Sequence, residues 1–169
     1  FLEPFMVPSL LHLLLCCCVA FAIGQEFKKN TFAECVNPQQ IVSSFLGKIL
    51  VYVCIFCFWT WSWMFWLAHI RGYFIAGSLS LILVAQFLLY FAYAVISSTV
   101  VLATKDLPKT FGFIALYGGS SPSFSGITLP LNNAPAFTQF WSMIIPYTPY
   151  AKLQTEQWVI GSDISVSLI

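Results

Sequence analysis

Two cysteines three positions apart, Cys54 and Cys57, two histidines and six acidic side chains make up most of the chemically active inventory of this 169-residue chain. A Cys-x-x-Cys step suits a redox pair or half of a zinc site. Here its neighbours are Val53, Ile55, Phe56 and Phe58, with no histidine or second cysteine pair nearby. A thiolate in such surroundings is costly. These two, with Cys16, Cys17 and Cys18, read as small side chains compatible with lipid. A membrane-embedded enzyme needs paired acids, a histidine cluster or a nucleophile beside a base. His12 and His69 fall at different depths of their apolar runs, and no Asp or Glu lies in the middle of one. A phosphate-binding loop is also missing, because Gly47-Lys48 has no upstream glycine and Ile49 follows it. The sequence therefore reads as a non-enzyme, with no metal and no cofactor in this chain.

The elements that carry these residues are unusually apolar. Hydrophobic residues make up 59% of the chain and charged ones 8%, against about 25% charged in a soluble domain. That is too little charge to cover a surface facing water, so lipid must solvate most of the outside. The 17 Phe and 6 Trp fit lipid-facing and interfacial positions. Seven Lys and Arg at a net charge of +1 cannot build a phosphate-tracking groove, which excludes nucleic acid as a partner.

A helix crosses roughly 30 Å of hydrocarbon with about 20 residues. Four apolar runs meet or approach that length, at about 5–23, 49–69, 73–103 and 110–124. The first lacks the basic lead of a signal peptide, and more apolar residues follow its Leu13-Leu14-Leu15-Cys16, so it reads as a true span. Trp59, Trp61, Trp63 and Trp66 gather toward one end of the second, as in an aromatic belt. The third exceeds what a bilayer needs and should tilt or project. Segments 24–48 and 104–109 share one face and hold Lys28, Lys29, Lys48, Lys105 and Lys109; the other face has Arg71 and Lys152. The positive-inside rule puts the lysine-rich face in the cytoplasm. Both chain ends read as cuts in a longer protein, with at least one span ahead of residue 1.

Segment 24–48 is the most informative. Thr31-x-x-Glu34 has the spacing of a capping box, and Asn37-Pro38-Gln39-Gln40 supplies a second helix start. Ile41, Phe45 and Ile49 then recur every four residues, which predicts an amphipathic helix running into the second span. Such a pair could lie on the membrane surface or dock on a soluble partner and pass on its motion. At the other end, Pro130, Pro135, Pro146 and Pro149 break the apolar stretch 130–150 too often for a span. It reads either as a re-entrant hairpin or as a helix lying flat, anchored by Phe140 and Trp141. Among polar residues in the spans, His12 and Gln86 are candidates to line a cavity or to bond a neighbouring helix. Ser97, Ser98 and Thr99, and likewise Gly77 and Ser78, read as helix packing, and Glu3 as a solvated boundary residue.

The order Gly24-x-Glu26, Thr31, Pro38, then Gly47-Lys48 at the mouth of a span resembles the ABC-2 type permeases. Asn30 stands where that family usually has Gly, and Asn37 where it has Thr or Ser. The likeness resumes at Ser125-Gly126 with Pro130, at Asn132-Asn133-Ala134-Pro135 and at Pro146-Tyr147-Thr148. The resemblance implies an all-α polytopic bundle, here spans two to five of six, from a bacterial inner-membrane exporter of the drug-efflux kind. It implies that segment 24–48 is a cytoplasmic coupling helix, with Gly24, Glu26, Lys28, Lys29, Thr31, Glu34 and Pro38 touching a separate ABC ATPase subunit that holds ATP and Mg. It makes 130–150 an extracytoplasmic re-entrant hairpin, with Ser125, Gly126, Pro130, Pro135 and Pro146 at the exit gate. Implied partners are that ATPase, a second permease copy or homologue, membrane lipid and a periplasmic adaptor. Polysaccharide or lipid export, and a non-transporting assembly role, remain alternatives.

Overall fold

The computed structural model describes residues 3–28, 41–127 and 134–163, and every regular element among them is helical. Three helices are long and apolar enough to cross a membrane: α1 (Glu3–Lys28), α2 (Ile41–His69) and α3 (Leu79–Thr104). Their outward faces fit that role. Val51, Ile55, Phe58 and Phe65 form an exposed stripe along α2, and Val84, Leu88 and Val95 one along α3. A water-facing protein rarely shows apolar patches of that extent. These helices make the chain a membrane protein.

α1 is the central element, packed against α3, α2 and the next helix, α4 (Leu107–Gly119). Its Leu15, Val19, Ala20 and Ile23 join Val53 and Cys57 of α2 and Leu89, Tyr90, Tyr93 and Ala94 of α3 in the main core. Buried hydroxyls bind the same seam. Ser97 Oγ donates to the Cys16 carbonyl at 2.7 Å, and Cys16 Sγ donates to the Tyr93 carbonyl at 3.6 Å. Each such bond between membrane helices is worth about 0.6 kcal/mol. Ser98 and Thr99 return their hydroxyls to Val95 of their own helix. The polar patch is thus packing, as its sequence suggests.

Helix ends depart from the hydropathy boundaries for local reasons. α1 continues about a turn past the expected end near residue 23, through Gly24 to Lys28. α3 starts at Leu79 rather than 73, because Gly72 turns left-handed at φ 70° and residues 73–77 run without helix to Ser78, the N-cap. At its other end Lys105 adopts φ 50° and its N–H closes the helix on Val101. Asp106 then caps α4 by accepting from the Lys109 N–H, with Pro108 in the first turn.

The expected fourth run, about 110–124, is two pieces: α4 of 13 residues and α5 (Ser121–Phe124), joined at Ser120. At 1.5 Å per residue α4 is about 20 Å long, short of the hydrocarbon thickness. The chain then forms α6 (Ala136–Ile144), α7 (Tyr147–Gln154) and a π-helical turn, Thr155–Ile160. Within this α6–α7 segment, α7 lies beside the N-terminal part of α1. Tyr147 donates to the Phe5 carbonyl at 2.9 Å and Gln154 Nε2 to the Pro4 carbonyl at 2.9 Å.

Candidate functional site

A polar cluster forms where α4 stops and the hairpin begins. His12 is completely buried, three turns into α1. Its Nδ1 lies 3.3 Å from the Pro8 carbonyl and its Nε2 3.2 Å from the Gly118 carbonyl of α4. Pro8 has no N–H for the carbonyl four residues back, Pro4, which accepts instead from Gln154 Nε2, while the His12 ring folds back one turn onto the Pro8 carbonyl. Gly118 allows the second, because α1 packs so closely there that an added Cβ would sit 3.1 Å from the Leu13 side chain. The imidazole lies against Tyr93 of α3, with ring centroids 4.4 Å apart, and against Tyr147 of α7 at 5.5 Å.

Tyrosines extend this cluster in two directions. Tyr93 shares a 2.6 Å hydrogen bond with Ser121 of α5, and Tyr117 donates to the Ile144 carbonyl of α6 at 2.8 Å. One turn toward the α3 N-terminus, Tyr90 shares a 2.6 Å bond with Thr60 of α2 and accepts from Gln86 Nε2 at 3.1 Å. Tyr150 is buried beside Tyr147, with ring centroids 5.8 Å apart. The oxygens Gln86 Oε1 and Tyr150 OH are buried without a hydrogen-bond partner. Sequence reading singles out His12 and Gln86 but misses the five tyrosines around them. The signal was present as two i, i+3 pairs, Tyr90/Tyr93 and Tyr147/Tyr150, each setting two phenols on one helix face. Both His12 and Gln86 are fully buried and engaged in packing contacts.

The end of the bundle nearest Glu3 is closed by a second polar set. Glu3 accepts from Tyr73 at 3.0 Å and lies 3.7 Å from the Arg71 guanidinium, which stacks over Trp66. Glu3 is therefore a tether rather than merely solvated, and its place in the first turn also suits the helix dipole. Donating to Glu3 holds the Tyr73 phenol above its ordinary range. Next to it the loop before α3 docks on the π turn. Ala76 N–H reaches the Trp158 carbonyl at 3.3 Å, Gly77 N–H the Gln157 carbonyl at 2.8 Å, and Ser78 N–H Gln157 Oε1 at 2.8 Å. A helix end leaves carbonyls without partners, and this loop supplies them. Gly77 and Gly161 make the approach feasible: a Cβ on Gly77 would meet the Gln157 carbonyl at 2.9 Å, and one on Gly161 the Ala76 carbonyl at 2.9 Å. The small-residue signal at Gly77 and Ser78 thus marks contact with the hairpin rather than helix-on-helix packing.

At the opposite end α1, α2 and α4 meet. Glu26 pairs with Lys48, and Gly24 lets the Leu107 side chain press on α1. Lys48, Lys105 and Lys109 all lie at this end, and α1 finishes there at Lys28. Of the other candidate coupling residues, Lys29, Thr31, Glu34 and Pro38 lie outside the described residues, as does Pro130 of the exit group. The remaining exit candidates each have a local role. Ser125 bonds the Pro122 carbonyl at 2.7 Å, Gly126 turns at φ 82°, Pro135 caps α6 and Pro146 caps α7.

Among the described residues no group of three His, Cys, Asp or Glu side chains is placed to hold a metal ion, and Cys16, Cys17, Cys18, Cys54 and Cys57 are free thiols. No known protein family, curated protein or solved structure matches the chain.

Proposed function

We propose that this chain is part of the membrane-spanning subunit of an ATP-driven exporter of the ABC-2 kind, in a bacterial inner membrane, moving amphipathic compounds outward. The observation that carries this reading is the pairing of a half-length helix with a hairpin. α4 ends at the level of His12, and α7 lies beside the N-terminal part of α1 that α4 does not reach, with Tyr147 and Tyr150 buried. A broken, proline-rich segment held on the bundle by buried tyrosines suits a re-entrant exit gate, whose backbone must be covered by protein. The clustering of Lys48, Lys105 and Lys109 at the far end adds support for a cytoplasmic face there.

In this reading a separate ATPase subunit binds ATP and Mg and presses on segment 24–48. Glu26, held by Lys48, passes that push jointly to α1 and α2. Two permease chains then rock from an inward-open to an outward-open state, in the general manner of alternating access. One observation favours the runner-up, a non-transporting assembly protein: His12 and Gln86 are both spent on packing within the chain.

Reconstitution with the partner ATPase in liposomes separates the two. Stimulated ATP hydrolysis and uptake of an amphipathic dye are expected for the exporter. In cells, the double variant Glu26→Gln, Thr31→Ala should insert normally and lose export; unchanged export would refute the coupling role. A cysteine placed at Asn30 should label only from the cytoplasmic side.

A further inference from the structure

Between α3 and the α6–α7 segment lies an open cleft of about 920 Å³, which touches the tyrosine cluster at Tyr150. One wall is Ala85, Leu88 and Ala92, small and branched residues of α3; the other is Met143 and Pro149. Leu88 and Met143 are strongly exposed, at 59% and 82%. From Ala85 to Ala92 the wall runs about 10 Å along the helix axis. An apolar trough of that length takes part of an acyl chain.

Its polar groups are few and of one kind. Lys152 lines the cleft, and none of the described carboxylates pairs with it, including Glu156 one turn further on. Thr148 and Tyr150, on the same helix, also line it, and each carries a buried hydroxyl with no hydrogen-bond partner. Lys152 belongs to the last turn of α7, whose Gln154 reaches the Pro4 carbonyl, so the ammonium lies toward the Glu3 end of the bundle. The apolar wall continues from there toward mid-helix.

We propose that this cleft is a binding site for one anionic phospholipid of the surrounding leaflet, its acyl chain along α3 and its phosphate on Lys152. A positively charged headgroup would meet Lys152 with like charge, and a zwitterionic one would gain little. One lysine near a membrane surface favours an anionic lipid by about fivefold. The proposal needs only the membrane setting and holds whether or not the chain exports anything.

The test uses the full chain in nanodiscs containing equal phosphatidylglycerol and phosphatidylcholine of matched acyl chains. Lipid retained after gentle detergent extraction is measured by native mass spectrometry. Retention of phosphatidylglycerol over phosphatidylcholine by about fivefold is expected. Lys152→Gln, at an exposed position where folding is unaffected, should erase that preference. Ala92→Trp should lower retention of both lipids, while Lys48→Gln at the far end should change neither. Equal retention of the two lipids by the native chain, or a preference that survives Lys152→Gln, would overturn the site.

Discussion

The Glu3 end and the Lys48 end of this bundle are built on different principles. At the Glu3 end a carboxylate, a guanidinium, a phenol and three backbone N–H groups lock α1, the α2–α3 loop and the π turn together. At the Lys48 end the described polar tie between α1 and α2 is one exposed ion pair, and the first two turns of α2 stand largely clear of the bundle. Backbone bonds within a close-packed contact have fixed geometry, whereas an exposed ion pair is worth about 0.2–1 kcal/mol and tolerates movement. One end is fitted to stay put and the other to be moved, which matches a chain that receives force on its lysine-rich face.

The largest expected effect comes from glycines at the two ends. Gly161 sits at φ 73° with the Ala76 carbonyl where its Cβ would lie. Gly161→Val should cost roughly 3 kcal/mol, from left-handed strain together with that clash. Gly47→Val, whose Cβ would meet nothing within 4 Å, should leave stability unchanged or raise it by a few tenths of a kcal/mol. Unfolding by graded denaturing detergent measures both, and equal losses would break the contrast.

A middle-sized effect is expected between the ends. His12→Leu keeps most of the ring's volume but leaves the Gly118 carbonyl without its cross-helix donor, a loss of about 2 kcal/mol. A neutral result would mean that packing against Tyr93 and Tyr147 alone holds the cluster. The smallest effect belongs to the ion pair. A double-mutant cycle with Glu26→Gln and Lys48→Gln should give a coupling near 0.5 kcal/mol that disappears in high salt. A coupling above about 2 kcal/mol would show the Lys48 end to be as firmly tied as the other.

Much of the helix content was legible because it depends on composition over short windows. The runs near 5–23 and 49–69 are apolar enough that any neighbours would leave them helical. Asp106-Leu107-Pro108-Lys109 carries its cap within four residues. What the sequence did not disclose was set by distant contacts. Residues 73–77 look as apolar as α3, yet they leave the helix because Gly77 docks on Gln157, eighty positions away. The first apolar run ends near residue 23, but α1 continues through Gly24, where Leu107 packs and beyond which Lys48 holds Glu26. The tyrosine cluster is assembled from α3, α4 and α7, and no local window contains more than two of its members. The family likeness rests on motif order, and several of its positions, among them Asn30, Thr31, Pro38 and Pro130, fall outside the described residues.

The imidazole at position 12 has an oxygen acceptor on each side, one from its own helix and one from α4. An uncharged ring carries a single N–H, so it can satisfy one carbonyl only by turning a lone pair toward the other. With the hydrogen on Nε2 the ring donates to α4, and with it on Nδ1 to Pro8. A neutral imidazole deep inside the bundle can therefore donate across the seam only by leaving its own helix's carbonyl facing a lone pair.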